Sequence, residues 1–182
     1  MKPRRLMAFL CSIVFIFVAL TGCSALSDPG SGSTADLNSV PNAFSTLAKV
    51  QYNGIEIEAK ITRLDGGDCT IEVLSPSSLK SLAMDWNAQS NTMTLGFMGL
   101  SCSIDPQQFP DSAFGSAVIS VFNAVASKDG LQIDKTDELL TFSGTGESGQ
   151  FSVSIDRKTG SMQSLEIPSI GLSAQFSEYT SQ

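Results

Sequence analysis

The sequence predicts an α+β fold that is mainly β: a strongly curved antiparallel sheet of about 8–10 strands, an incomplete barrel, wrapped around a central helix. Three observations predict it. From residue 50 onward, apolar and polar residues alternate in run after run, which gives each strand one apolar face. Clusters of Gly, Pro, Ser and Asn separate the runs as turns. One stretch, Asp111 to Lys128, changes the period from two to that of a helix. A sheet of so many one-sided strands twists too strongly to lie flat, and its apolar face needs a cover, which the helix supplies.

Taken in order, Phe44, Leu47 and Ala48 fit one helical turn leading into a long strand. Val50 and Tyr52 alternate, Asn53-Gly54 interrupts, and Ile55, Ile57, Ala59 and Ile61 alternate again with Glu56, Glu58 and Lys60 between them. Asn-Gly there fits a hairpin or, equally, a long bent strand with a glycine bulge. Cys69, Ile71 and Val73 share a face, as do Leu82, Met84 and Trp86, then Met93, Leu95 and Phe97, then Leu100, Cys102 and Ile104. Gly66-Gly67, Ser75-Pro76-Ser77 and Asn87 to Asn91 are the turns of this meander, and Asp105 to Pro110 closes it. Asp111 caps the helix and Gly130 stops it; Phe114, Ala117, Val118, Val121, Phe122 and Val125 trace a single stripe. A second meander follows through Leu140 and Phe142, Phe151 to Ile155, Leu165 and Ile167, and Leu172 to Phe176. Its turns fall at Thr145 to Gly149, Asp156 to Gly160 and Pro168 to Gly171.

The N-terminus carries a different signal. Lys2, Arg4 and Arg5 precede Leu6 to Leu20, which is apolar apart from Ser12, the form of a secretory leader and too short for a comfortable membrane span. The run ends in Leu20-Thr21-Gly22-Cys23, which resembles the bacterial lipobox. That resemblance implies cleavage between Gly22 and Cys23 and a diacylglyceryl group on the Cys23 thiol. An ordinary signal peptide or an uncleaved anchor is the alternative. Acyl chains at Cys23 would hold the chain at the extracytoplasmic face of the cell membrane without spanning it. Ser24 to Asn42, with Asp28-Pro29-Gly30-Ser31-Gly32-Ser33-Thr34 at its centre, reads as a flexible tether of mean reach about 25 Å. The expected organisation is therefore a signal at 1–22, an acylated N-terminus and tether at 23–42, and one folded domain at 43–182.

Composition narrows the function. The 182-residue chain has a net charge of −7, and without the three leader cations it carries 8 basic against 18 acidic residues, or −10. Such a surface repels nucleic acid. There is no histidine, which removes Ser-His-Asp and Cys-His pairs and the usual base at neutral pH. Glu56 and Glu58 share a face but sit beside Lys60 as a solvated charge row. Asp134, Asp137 and Glu138 lack the spacing of a calcium loop, and Gly144-Thr145-Gly146 is too short for a phosphate loop and reads as a hairpin turn. No catalytic residue, metal site or cofactor is expected. Cys69 and Cys102 both fall on apolar strand faces, as a disulfide across the concave side or as two free thiols.

The secreted, acylated chain, the one-sided meander, the mid-chain helix and the second meander together resemble the LolA and LolB lipoprotein-localisation proteins and the mycobacterial LppX-type lipoproteins. Val50-Gln51-Tyr52-Asn53-Gly54, Val73-Leu74-Ser75-Pro76, Met98-Gly99-Leu100 and Ile155-Asp156-Arg157-Lys158-Thr159-Gly160 also resemble small lipoproteins of Gram-positive bacteria. The resemblance covers residues 44 to 178. It implies a half-barrel that receives acyl chains between sheet and helix, with Met84, Trp86, Met93, Leu95, Phe97, Val118 and Phe122 as the candidate hydrophobic pocket and a lipid as ligand. The alternative is a filled core in an interaction or sensor module that meets an envelope protein through its acidic face or strand edges.

Overall fold

A computed structural model describes residues 41–104 and 114–182. The leader, Cys23 and the tether up to residue 40 lie outside the described residues, as does Asp111. The strands are β1 (Phe44–Tyr52), β2 (Ile55–Arg63), β3 (Cys69–Ser75), β4 (Ala83–Asn87), β5 (Thr92–Phe97), β6 (Leu100–Ile104), β7 (Gln132–Lys135), β8 (Leu139–Gly146), β9 (Gly149–Asp156), β10 (Met162–Ile167) and β11 (Leu172–Ser181). The helix α1 (Phe114–Ser127) lies between β6 and β7 in sequence. All eleven strands form one open, curled antiparallel sheet in the order β6-β5-β4-β3-β2-β1-β11-β10-β9-β8-β7. Two meanders thus meet where the first and last strands pair.

Several expectations need correction. The sheet has eleven strands rather than 8–10, because β7, with one partly buried apolar residue, Ile133, shows no clear alternation. Phe44, Leu47 and Ala48 are strand, not a helical turn. The inward row is Phe44, Thr46, Ala48 and Val50, and Thr46 breaks the apolar alternation while its hydroxyl donates to the Ser177 carbonyl oxygen at 2.8 Å. The register slips there, with Ser45 opposite Thr180 and Leu47 opposite Ser177, and Glu178 takes φ +51° to absorb the extra residue. Asn53-Gly54 resolves as a tight hairpin, with φ of +50° and +77° and Tyr52 opposite Ile55. Gly144 to Gly146 belongs to β8 rather than to a turn. A Cβ at Gly144 would lie 2.7 Å from Leu131 and 2.9 Å from Phe151, so this glycine answers packing, not chain reversal. The helix ends before Gly130, at Lys128, which has φ +62° and donates its amide to the Ala124 carbonyl at 3.0 Å.

The helix stripe is buried as its spacing requires, and Phe122 is its centre. Its ring meets Phe44 of β1 edge-on at 5.4 Å and Phe176 of β11 at 6.3 Å, so one side chain ties the helix to both central strands. A Cβ at Gly115 would overlap the Met84 sulfur, so glycine allows the helix to seat closely on β4. Between β9 and β10, the Asp156 carboxylate accepts the amides of Lys158 and Thr159 and the Thr159 hydroxyl at 2.8–2.9 Å. The Thr159 bonds foremost hold its pKa below the usual carboxylate range.

Phe122→Ala is expected to cost about 3–5 kcal/mol of stability, measured by denaturant unfolding. A loss under 1 kcal/mol would place the stripe outside the core. Because folding depresses the Asp156 pKa, its stabilisation is present above the ordinary carboxylate pKa and is lost as pH falls through the folded value. Asp156→Ala should therefore lower Tm at neutral pH and make the acid limb of the Tm–pH curve shallower. A parallel acid limb would contradict that role.

Candidate functional site

Directly opposed residues of an antiparallel ladder share a face, so the register identifies what lies beside the helix. Met84 touches the helix, and its ladder row runs through Leu95 to Cys102. The next rows on that face are Phe97 with Leu100, and Trp86 with Met93 and Ile104. Met84, Met93, Val118 and Phe122 are buried members of the packed core. Trp86 and Leu95 are partly buried against it, whereas Phe97 is 39% exposed and Leu100 78%. The seven candidate pocket residues therefore divide: four are core packing, and Leu95 and Phe97 lead out to an uncovered strip that continues through Leu100 to the exposed Cys102. Met98, 77% exposed in the turn between β5 and β6, extends the apolar surface.

Two open cavities are lined by polar groups. One, of about 640 Å³, lies beside β8 and β9 among Gln132, Ser143, Thr145, Gln150 and Phe151. The other, of about 350 Å³, lies between the helix and the first meander, and of the seven candidates only Trp86 borders either. Its wall includes Arg63, Asp65, Trp86, Asn91 and Asn123. One ladder row crosses its base: Arg63 of β2, Cys69 of β3 and Trp86 of β4.

Arg63 is 5% exposed, and its Nη1 donates to Oδ1 of Asn123 on the helix at 3.0 Å. No described carboxylate lies within 4.0 Å of it. Burial lowers its pKa from 12.5, opposed by the nearby Cys69, yet it remains a cation at neutral pH. The indole Nε1–H of Trp86 is buried and has no hydrogen-bond partner. Sequence reading passed over Arg63, although it falls in phase with Ile57, Ala59 and Ile61 on the apolar face of β2. A charged residue in an apolar phase was the available signal.

The two cysteines are free. β4 and β5 separate Cys69 from Cys102, three strand spacings or about 14 Å, well beyond disulfide reach. Only Cys69 is buried, which pushes its thiol up to about 12; Cys102 is exposed because the concave face is uncovered at β6. Glu56 and Glu58 lie on the strand face away from the core, the first accepting from Gln51 at 2.9 Å and the second 3.8 Å from Lys49. Asp134 is on β7 and Asp137 and Glu138 in the following turn, all exposed, and no cluster of three metal-ligating side chains occurs among the described residues.

No protein-family model matches the sequence, and no curated protein matches it. Solved structures do resemble it. A LolA superfamily protein from Nitrosomonas europaea aligns over 84% of this chain and 94% of its own, with TM-score 0.44 and 7% identity. An uncharacterized conserved protein from Thermus thermophilus aligns over 82% and 86%, with TM-score 0.45 and 10% identity. A DUF1329 family protein from Desulfovibrio piger aligns over 82% and 92%, with TM-score 0.43 and 10% identity. At these values the similarity is one of overall form, and the functional reading rests on this chain's own residues.

In a chain carrying Cys11→Ser and Cys23→Ser, a thiol reagent at neutral pH should modify Cys102 rapidly and Cys69 only on unfolding. Two equally fast thiols, or none, would contradict the burial difference.

Proposed function

We propose that the protein is a non-enzymatic lipoprotein, anchored through Cys23 at the extracytoplasmic face of the cell membrane, that holds an apolar ligand, a lipid acyl chain, against the uncovered strip of β5 and β6. One observation carries this reading. Along the helix-side face of β4 to β6 the apolar residues pass from buried Met84 and Met93 through half-buried Leu95 to Phe97 and Leu100, which stand open to solvent. Exposed apolar surface that is contiguous with a core, rather than scattered, marks a binding surface. Its wall of Leu, Phe and the neighbouring Met98 suits a flexible hydrocarbon better than a polar substrate. The packed interior around Phe122 favours the strip over the space between sheet and helix as the seat of such a ligand.

A second reading has its own observation. β6, Leu-Ser-Cys-Ser-Ile, forms one edge of the sheet and carries no charge or proline, whereas the opposite edge, β7, is shorter and carries Asp134 and Lys135. An unprotected edge of this kind accepts an extended segment of a protein partner by strand addition.

Native mass spectrometry with lipid extraction, on protein purified from its membrane, discriminates between them. A lipid adduct beyond the covalent anchor, lost in Phe97→Asp/Leu100→Asp, is the expected result. A clean apo mass after incubation with envelope lipids would overturn the ligand reading and favour the edge. Cys23→Ala should release the chain from the membrane fraction or leave it uncleaved; cleavage with full membrane retention would overturn the anchor.

A further inference from the structure

We propose that the 350 Å³ cleft between Arg63 and Trp86 is a binding site for an oxyanion group, a carboxylate or a phosphate. The site is separate from the apolar strip and does not depend on a ligand there.

The reasoning starts from hydrogen-bond accounting. A buried cation is costly unless paired, and a buried N–H without an acceptor is costly as well. Both occur here, on two residues that line one cleft and share one row of the sheet. Arg63 is nineteen-twentieths buried yet has a neutral amide oxygen, that of Asn123, as its protein partner. A guanidinium presents five N–H donors, so one such bond leaves most of its capacity unused. Two positions along the row, the Trp86 indole N–H is buried and has no acceptor. Cys69 between them stays a neutral thiol and contributes no countercharge. What Arg63 lacks is a negatively charged acceptor oxygen beside it, since no described carboxylate lies within 4.0 Å. An oxyanion supplies it, with the geometry a guanidinium fork prefers.

The remaining polar groups fit this division. Asn42, Asn91 and Asn123 offer amides at the wall. Asp65, on the turn after β2, is the one carboxylate among the described lining residues and opposes an anion. The neighbouring Asp68 is turned to another task, accepting the Ala88 amide at 2.8 Å. Asp65 therefore moderates affinity, and its removal has a predictable sign. The anion has two sources, a free solute or the headgroup of a lipid, and the chemistry is the same for both.

Trp86 is the chain's one tryptophan, so its indole N–H gives a single resonance from inside the site. The experiment is a titration of the full chain in maltoside micelles with inorganic phosphate, with acetate and with dihexanoyl-phosphatidylglycerol, each against chloride at matched ionic strength. A saturable downfield shift of the indole proton with phosphate or acetate is expected if the source is a free anion, and with the lipid alone if it is a headgroup. Arg63→Gln should weaken binding about ten-fold or more, Arg63→Lys less, and Asp65→Asn should strengthen it about two- to five-fold. Asp65 lies on an exposed turn, so that variant remains informative if the Arg63 variants fail to fold. An indole resonance that none of the three ligands moves, or that chloride moves equally, overturns the proposal. So does a saturable shift that Asp65→Asn weakens. A lipid adduct on the strip with a silent indole would overturn the cleft and leave the strip intact.

Discussion

The architecture depends on the pairing of the first strand with the last. β1 and β11 are among the longest strands, and their ladder joins two meanders that would otherwise be separate sheets. Every other strand neighbour is also next in sequence, and the two strands that bracket the helix, β6 and β7, are the opposite edges of the sheet. β1·β11 alone is a contact between chain ends, and it bears the largest loop-closure cost in the fold. What offsets it is burial: Phe44, Ala48 and Val50 from one end and Leu172, Ala174 and Phe176 from the other lie inside, with Phe122 packed on both strands. The helix is therefore more than a cover. It is the third body of the junction.

That arrangement leaves the sheet unevenly covered. Fourteen residues of helix protect the middle of an eleven-stranded sheet but do not reach both of its edges. At β7 the uncovered edge is short and charged, which protects it. At β5 and β6 the apolar alternation continues past the end of the cover, so Phe97 and Leu100 face solvent by geometry rather than by composition. The proposed ligand strip follows from this mismatch between the length of the helix and the breadth of the sheet.

The cleft illustrates the same principle in polar form. Where the helix crosses the ends of β2 to β4, the inward row changes from Ile61 to Arg63 and from Met84 to Trp86. An in-phase arginine must be buried by the strand's own pleat, and Asn123 on the helix supplies an acceptor but no charge. Strand periodicity thus forces a donor-rich patch into the interior, and the cleft beside it gives a complementary group a way in.

Much of the fold was legible before any coordinates. Period-two alternation located nine strands and the end of β1, because each has one apolar and one polar face, and the spacing from Phe114 to Val125 located the helix. The failures have local causes. Thr46 is polar yet points inward because a β-bulge gives it a carbonyl, Gly144 is a packing glycine inside a strand, and β7 has too few inward residues to register. The sequence by itself determined which side of nearly every strand is apolar, since alternation is a property of neighbouring residues. Only the tertiary structure decided which of those apolar faces are covered. It set Cys69 in the core and Cys102 in the open, divided the seven pocket candidates between core and strip, and brought Arg63 and Trp86 to one cleft. Those outcomes depend on strand order and on where the helix lies, which are relations between residues distant in the chain that local periodicity does not encode.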